Sequence, residues 1–216
     1  MIKLFFDIET IPESESLRSE IETTITHPKN FVNPERIHKW TIEERPGEIE
    51  TRFRKTSLRA HTGKILCIGY IKEGGPEKYE GVLTGSEREI LEEFWELTKD
   101  VEQFIGFNVI EFDLKYVWQR SVILNIPPTK DLLSNNNPTH SVFDVMQEWD
   151  MWSARDHISL DTLSKTLGVT SPKSGGLNGA LVYDYFIAGR CQEIFDYCLR
   201  DVVATREIYL RMTFQS

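Results

Sequence analysis

The hydrophobic pattern of this chain changes period along its length, and that change restricts its architecture more than any other feature. Residues 2–8 form an apolar run that ends on an acidic pair, Asp7 and Glu9, and read as a buried strand. Residues 65–71 (ILCIGYI) and 77–83 read as two more strands, with Gly74-Gly75-Pro76 between them as a hairpin connection. From residue 86 the pattern alternates. Ser86-x-x-Glu89 is a capping box that opens a helix with Ile90, Leu91, Phe94 and Trp95 on one face. Residues 103–107 read as a strand, and residues 112–124 as a helix ended by Pro127-Pro128. Residues 141–146 read as a short strand. Ser159 caps a helix that runs through Leu167, with Gly168 at its C-terminal end. A short helix near 180–188 and a long one near 191–212 complete the chain. Three strands able to pair as a meander, followed by alternating strands and helices, predict an α/β fold: a mixed sheet with helices on its faces.

Residues 12–62 interrupt this plan. The stretch 12–30 is polar, with glutamates at 13, 15, 20 and 22, and reads as a loop. Asn33-Pro34-Glu35 looks like a helix start, with Asn33 as N-cap. Ile37 and Trp40 give that helix an apolar side, and Pro46-Gly47 is expected to end it. Residues 51–64 carry Arg52, Arg54, Lys55, Arg59 and Lys64 and no acid. A length of 216 residues suits one domain, 1–216, with an inserted loop and helical segment at about 12–62.

The formal net charge of −9 argues against a protein that coats nucleic acid through charge alone, but does not exclude an enzyme that handles nucleic acid with divalent cations. No apolar run approaches the ~20 residues of a membrane helix, and the N-terminus turns acidic too early for a signal peptide. Cys67, Cys191 and Cys198 show no CxxC spacing. The expectation is a cytoplasmic protein with reduced, mostly buried thiols. The five histidines show no ligand spacing, and no phosphate-binding loop, dinucleotide fingerprint or GxSxG is present.

Asp7 and Glu9 lie two apart at the end of a strand, so both side chains point to one side. Two acids so placed can share a hard cation such as Mg²⁺ or Mn²⁺, although an isolated DxE is usually an exposed pair. Asp113 is expected in the first turn of a helix, where an acid also favours the helix dipole. Tyr197 and Asp201 are one turn apart on the last helix, and Val202, Thr205 and Ile208 flank them, so that face is expected to point inward. An acid directed inward needs a partner or a metal. Four acids thus arrive on three separate elements, which is what a two-metal phosphoryl-transfer site requires of its scaffold.

The strings FFDIET (5–10), IGFNVIEFD (105–113) and YCLRDVVAT (197–205) resemble the three exonuclease motifs of the DEDD superfamily. Tyr197 stands four residues before Asp201, as in the DEDDy branch; the DEDDh branch has a His five before the Asp, where this chain has Asp196. The chain is most similar to stand-alone predicted exonucleases related to the proofreading domain of family B DNA polymerases. NPERIHKW (33–40), TGKILCIGY (62–70), SLDTLSKTLGV (159–169) and the Gly-rich loop before Ala180 add to that likeness. The resemblance implies a ribonuclease H-like fold with a five-stranded mixed sheet, its first three strands antiparallel, and two divalent cations, Mg²⁺ or Mn²⁺. It implies that Asp7 bridges both, that Glu9 and Asp201 hold one, and that Asp113 supports the other. It assigns Tyr197 to orienting the attacking water. The implied reaction is 3′→5′ exonucleolytic hydrolysis of nucleic acid with a free 3′ end, most readily single-stranded DNA. RNA trimming is the alternative, and an inactive nucleic-acid- or partner-binding module on the same fold is a lesser one. A separately made polymerase or repair partner stays open.

Several residues read two ways. In enzymes like these the backbone after the first motif meets the terminal nucleotide, which makes Thr10 and Ile11 substrate-contact candidates; strand termination explains them equally. Asn108 suits a strand contact or a turn. Asp144 can approach the site or cap the next turn, and the cap is favoured. Lys173 and Asn178 in SPKSGGLNG (171–179) suit a phosphate contact or a plain loop. Arg52, Arg54 and Lys55 are candidates for the path of the nucleic acid strand. Phe53 among them is either a base-stacking ring or a buried anchor.

Overall fold

The structure, a computed structural model, describes residues 1–130, 141–153, 155, 157–172 and 176–215. The chain divides into two compact units, Met1–Glu9 with Ile65–Ser216, and Thr10–Lys64.

The larger unit is built on a five-stranded sheet in the order β3-β2-β1-β4-β5. Its strands are β1 (Lys3–Pro12), β2 (Gly63–Glu73), β3 (Tyr79–Leu83), β4 (Gln103–Gly106) and β5 (Val142–Asp144), with the end of β1 after Glu9 and the start of β2 before Ile65 belonging to the smaller unit. β2 and β3 form the expected hairpin, antiparallel, with Ile68 opposite Leu83 and Lys72 opposite Tyr79. β1, β4 and β5 run parallel: Phe5 stands opposite Ile105, and Gly106 opposite Asp144. Their C-terminal ends therefore share one rim, and that rim receives Asp7, Glu9 and the segment that leads to Asp113.

Alternation along β1 decides which helices meet the acids. Phe6 faces the helix Glu87–Leu97, its ring 5.3 Å from Phe94. Trp95 of that helix donates to Ser121 of the helix Lys115–Leu124, 2.9 Å away. Phe5 points the other way and meets Tyr209 edge-on at 5.3 Å. Tyr209 belongs to the long helix Cys191–Met212, which buries Val202 and Ile208 in a cluster with Ile71, Ile105, Val145 and Leu163. Asp7 and Glu9 share Phe5's face by parity, so they face the long helix.

Most helix boundaries follow local chemistry. The capping box at Ser86 and Glu89 is formed. Ser159 caps Leu160–Leu167, and Gly168 ends it with φ +67°. The helix expected over 112–124 begins instead with a π-type turn, Ile110–Leu114, and ends on left-handed Asn125 before the prolines are reached. The strand expected over 141–146 stops at Asp144, whose carboxylate caps the short helix Val145–Trp149. No helix among the described residues is long and apolar enough to cross a membrane.

The smaller unit corrects two expectations. Residues 12–30 are not a loop throughout, since Ser16–Thr24 is a helix. It buries none of its residues fully, so it leaves little apolar periodicity in the sequence. Asn33 caps Pro34–Lys39 as expected, accepting the Glu35 N–H at 2.8 Å. Pro46-Gly47 does not end that segment. A π-type turn, Trp40–Glu44, carries it into a further helix, Arg45–Lys55, with Pro46 in the first turn, where no N–H is needed. Trp40, Ile25 and Ile49 form the core of this unit.

With the elements in hand, the helices are numbered in chain order: α1 Ser16–Thr24, α2 Pro34–Lys39, α3 Arg45–Lys55, α4 Glu87–Leu97, α5 Lys115–Leu124, α6 Val145–Trp149, α7 Leu160–Leu167, α8 Val182–Ile187 and α9 Cys191–Met212.

Candidate active site

Asp7 and Glu9 project from β1 toward α9, where Tyr197 and Asp201 sit one turn apart. One carboxylate oxygen each from Asp7, Glu9 and Asp201 lie within 4.8 Å of one another. Glu9, Asp201 and Tyr197 are buried, at 8%, 7% and 7% exposure.

Asp113, which is not one of the three converging acids, is held against β1 through two local devices. Asn108 adopts the left-handed region, φ +59°, which an Asn tolerates at a sharp turn. The π-type turn follows, with the Leu114 N–H bonded to the Val109 carbonyl at 2.9 Å, five residues back. Gly106 lets this segment fold tightly against the sheet, since a Cβ there would lie 2.7 Å from the Val109 side chain. Asp113 then accepts the Ile8 N–H at 3.0 Å, which ties it to the β1 residue between the two strand acids.

Asp144 supports this geometry from behind. It is fully buried and accepts the N–H groups of Asn108 at 3.0 Å, Ile110 at 3.1 Å, Met146 at 3.1 Å and Gln147 at 3.2 Å. One carboxylate thus pins the turn before Asp113 and caps α6. That is the structural role favoured from the sequence.

Two cysteines complete the floor of the site, and nothing in their spacing announced them. Cys198, one residue after Tyr197, accepts the Gly69 N–H at 3.2 Å and contacts the Asp7 backbone carbonyl at 3.4 Å and its carboxylate at 3.7 Å. Burial first, and then Cys67 and the Asp7 and Glu9 carboxylates, push its thiol well above the usual range. A Cβ on Gly69 would stand 3.0 Å from the Cys198 sulfur, so only glycine gives α9 this close approach to β2. The usable signal was the alternation of small residues, Cys67 then Gly69, on one face of β2. All three cysteines are free thiols.

Crowding sets the electrostatics. Burial, and then the charges of Asp113, Asp201 and Glu9, push the Asp7 carboxyl well above the ordinary carboxylate range. Burial raises Glu9 in the same way, with Cys67, Asp201 and Asp113 adding to it. Burial also raises Asp113, against the pull of the Ile8 hydrogen bond, and Asp144 and Asp201 add to the rise. Among the described residues, no ion pair includes Asp7, Glu9 or Asp113. Three carboxylate oxygens converging at a largely buried spot, from Asp7, Glu9 and Asp201, are the kind of donor set a hard divalent cation takes. Tyr197 stands one turn from Asp201 on α9. Burial, and then the Asp201 charge, raise its phenol far above the usual value, so it stays a donor.

The other candidates lie as follows. Thr10 and Ile11 do not terminate the strand: β1 continues to Pro12 and both side chains are buried. Asn178 caps the turn Gly179–Leu181, accepting the Ala180 N–H at 3.0 Å. Lys173 lies outside the described residues. Arg52 and Arg54 are held by Glu48 and Glu50 of their own helix, each at 2.6 Å. Phe53 is fully buried, with the Arg18 guanidinium 4.0 Å from its ring centroid, so it is an anchor and not a stacking platform.

The sheet order and the helices packed on it are those of a ribonuclease H-like fold. The chain belongs to the family of predicted 3′–5′ exonucleases related to the exonuclease domain of PolB, whose family model matches residues 58–216. The matched stretch contains Asp113, Tyr197 and Asp201, while Asp7 and Glu9 precede it. The family B DNA polymerase from the hyperthermophilic archaeon Pyrobaculum calidifontis is similar in structure, with a TM-score of 0.60 and 17% sequence identity. The likeness covers 99% of this chain and 24% of the polymerase, so the chain spans about a quarter of that protein's length. None of the curated proteins matches this chain.

Proposed function

We propose that residues 1–216 act as one metal-dependent exonuclease domain that hydrolyses single-stranded DNA from its 3′ end and releases nucleoside monophosphates. The observation that carries this reading is the convergence of the Asp7, Glu9 and Asp201 oxygens in a buried site. Carboxylates there repel an anionic phosphodiester unless cations stand between them. Asp7, Glu9 and Asp201 would hold divalent cations, Mg²⁺ or Mn²⁺, with Asp113 completing the set. Such cations, when bound, supply a Lewis acid for the phosphoryl oxygens and make water more acidic.

The chain's own residues do the rest. Asp113 is locked by the Ile8 N–H, so the rim acids keep one orientation. Tyr197, protonated at any working pH, donates through its hydroxyl and orients the attacking water. It does not abstract a proton. Water forms the new bond to phosphorus while the bond to the 3′ oxygen breaks and that oxygen takes up a proton. The family description supplies the 3′→5′ direction. The preference for DNA over RNA follows the polymerase relationship.

The test is digestion of 3′- and 5′-labelled single strands of DNA and RNA with Mg²⁺ or Mn²⁺, and with EDTA as control. Stepwise shortening from the 3′ end, abolished by EDTA, is the expected result. Internal cleavage, or loss of nucleotides from the 5′ end, overturns the direction. Faster trimming of RNA overturns the substrate.

A further inference from the structure

Most arginines of this chain are already engaged. Among the described residues, only Arg59, Arg155, Arg200 and Arg211 lack a carboxylate within ion-pair distance. Two of these four lie on α9, the helix that carries Tyr197 and Asp201. Both line a cleft of about 650 Å³ between the outer flank of that helix and the segment 168–172.

The helix geometry ties this cleft to the site. Arg200, Ala204, Glu207 and Arg211 recur at intervals of four, three and four, and so form one stripe. That stripe is adjacent to the face of Tyr197 and Asp201. The Arg200 guanidinium lies 5.9 Å from the Tyr197 ring centroid, and its Nε donates to the Pro172 carbonyl at 3.2 Å. Arg211 stands about 16 Å further along the helix, at 1.5 Å per residue. Of the two acids in the cleft, Glu207 is paired with Arg206 at 3.0 Å, and Asp196 accepts a hydrogen bond from Gln192 at 2.8 Å. Leu199 and Val203 supply an apolar wall, with Val203 43% exposed.

We propose that this cleft carries the substrate strand, with Arg200 and Arg211 contacting separate, non-adjacent phosphates and the Leu199–Val203 wall meeting sugars and bases. The proposal rests on the exonuclease reading and names the path of its substrate. Charge complementarity argues for the occupant, because guanidinium groups free of carboxylates are the natural partners of phosphodiesters. Continuity argues for it too, because Arg200 sits at the boundary between the cleft and the Tyr197–Asp201 turn.

The test measures binding and turnover separately. Fluorescence anisotropy of labelled oligonucleotides in EDTA needs no catalysis, and is run on the full chain and on Arg200→Gln and Arg211→Gln. A 12-mer is expected to bind each variant about 5-fold more weakly than the parent chain. Each variant should lose about 0.7 from the slope of log affinity against log salt, the release expected per single-strand phosphate contact. Turnover then fixes the register. Arg211→Gln should raise KM for the 12-mer while leaving dinucleotide kinetics unchanged, because Arg211 lies beyond a dinucleotide's reach. Equal loss on both lengths, or unchanged binding by both variants, overturns the cleft. So does an unchanged KM accompanied by weaker inhibition from a nucleoside monophosphate, since the cleft would then be a product site. A parent chain that binds the strand through these arginines but degrades nothing overturns the exonuclease reading while leaving the cleft in place.

Discussion

The segment α3 and the rim of the sheet are both rich in acids, yet they treat them in opposite ways. On α3 each acid meets a cation. Glu50 accepts from both Arg18 and Arg54, and the Arg18 hydrogen bond above all holds its carboxyl below the ordinary range. Glu48 is taken by Arg52. At the rim, half-buried Asp7 stands close to buried Glu9 and Asp113, and all three are pushed upward. Acids that the fold needs only for itself are neutralised by its own arginines. On the proposed function, the acids kept apart from arginine, at a cost in folding free energy, serve a cation that comes from outside.

The strongest way to break this comparison is to remove one rim acid. Asp7→Asn should lower kcat by about 10³-fold or more, because the charge that recruits the cations is lost. Single-turnover activity equal to the parent chain would sink the assignment. The converse change should damage the fold and not the chemistry. Arg120 is buried, pairs with Glu87 through two hydrogen bonds of 2.8 and 2.6 Å, and shares that carboxylate with the Ile65 N–H. Arg120→Ala leaves a buried acid uncompensated and should cost about 3–5 kcal/mol in urea unfolding. A loss below 1 kcal/mol would mean that Glu87 is rescued by water and that the contrast between the two kinds of acid is weaker than drawn.

Tyr197→Phe sharpens the same contrast at a smaller scale. It removes the hydroxyl proposed to orient the attacking water and leaves the ring, so kcat should fall by about 10- to 100-fold, with little change in KM. A loss as large as that of Asp7→Asn would give the hydroxyl a share in the proton transfer itself.

Which parts of this design were legible follows from whether the information is local. The capping box at Ser86, the Ser159–Gly168 pair and the bounds of α9 are written in neighbouring residues and appear where expected. So are the shared face of Asp7 and Glu9 and the Tyr197–Asp201 turn, because strand parity and helical spacing fix their direction, whereas Asp113 depends on a π-type turn that Asp144 pins from a distance. What stayed hidden depends on contacts between distant residues. Helix α1 has too few apolar positions to show a period. Pro46 reads as a stop but serves as a first-turn residue, because the preceding π-type turn delivers the chain to it. Cys198 and Cys67 become neighbours of Asp7 only when α9 lies across β2 at Gly69. The charges of residues 52–55 looked free in the sequence because their glutamates lie four residues back on the same helix, outside the acid-free stretch.

The rim should also reveal itself through pH in the absence of metal. Asp7, Glu9 and Asp113 have folded pKa values raised above the ordinary 3.8–4.5. Over the range between those ordinary values and the raised ones, the folded chain binds more protons than the unfolded chain. Stability therefore falls as pH rises through that range. Thermal unfolding in EDTA should show Tm decreasing from about pH 5 toward pH 8, with a cost on the order of 1 kcal/mol, and Mn²⁺ should restore it by binding only the folded form. Asp7→Asn should flatten the EDTA profile. A profile that rises with pH would mean that the acids are already compensated.

The smallest effect is expected where the sequence placed its most conspicuous charge. Arg52 and Arg54 already spend their charge on Glu48 and Glu50, whereas no ion pair of Lys55 occurs among the described residues. If these residues contribute to the strand's path, they do so mainly through Lys55 and through the residual field of half-exposed pairs. Changing Arg52, Arg54 and Lys55 together to glutamate should then raise KM for a single strand by no more than about 3-fold, in line with the modest energies of surface ion pairs, and less than Arg200→Gln does. An unchanged KM removes the segment from the path altogether. A rise larger than that of Arg200→Gln would reverse the comparison, since it would show that arginines paired within a helix still govern substrate binding.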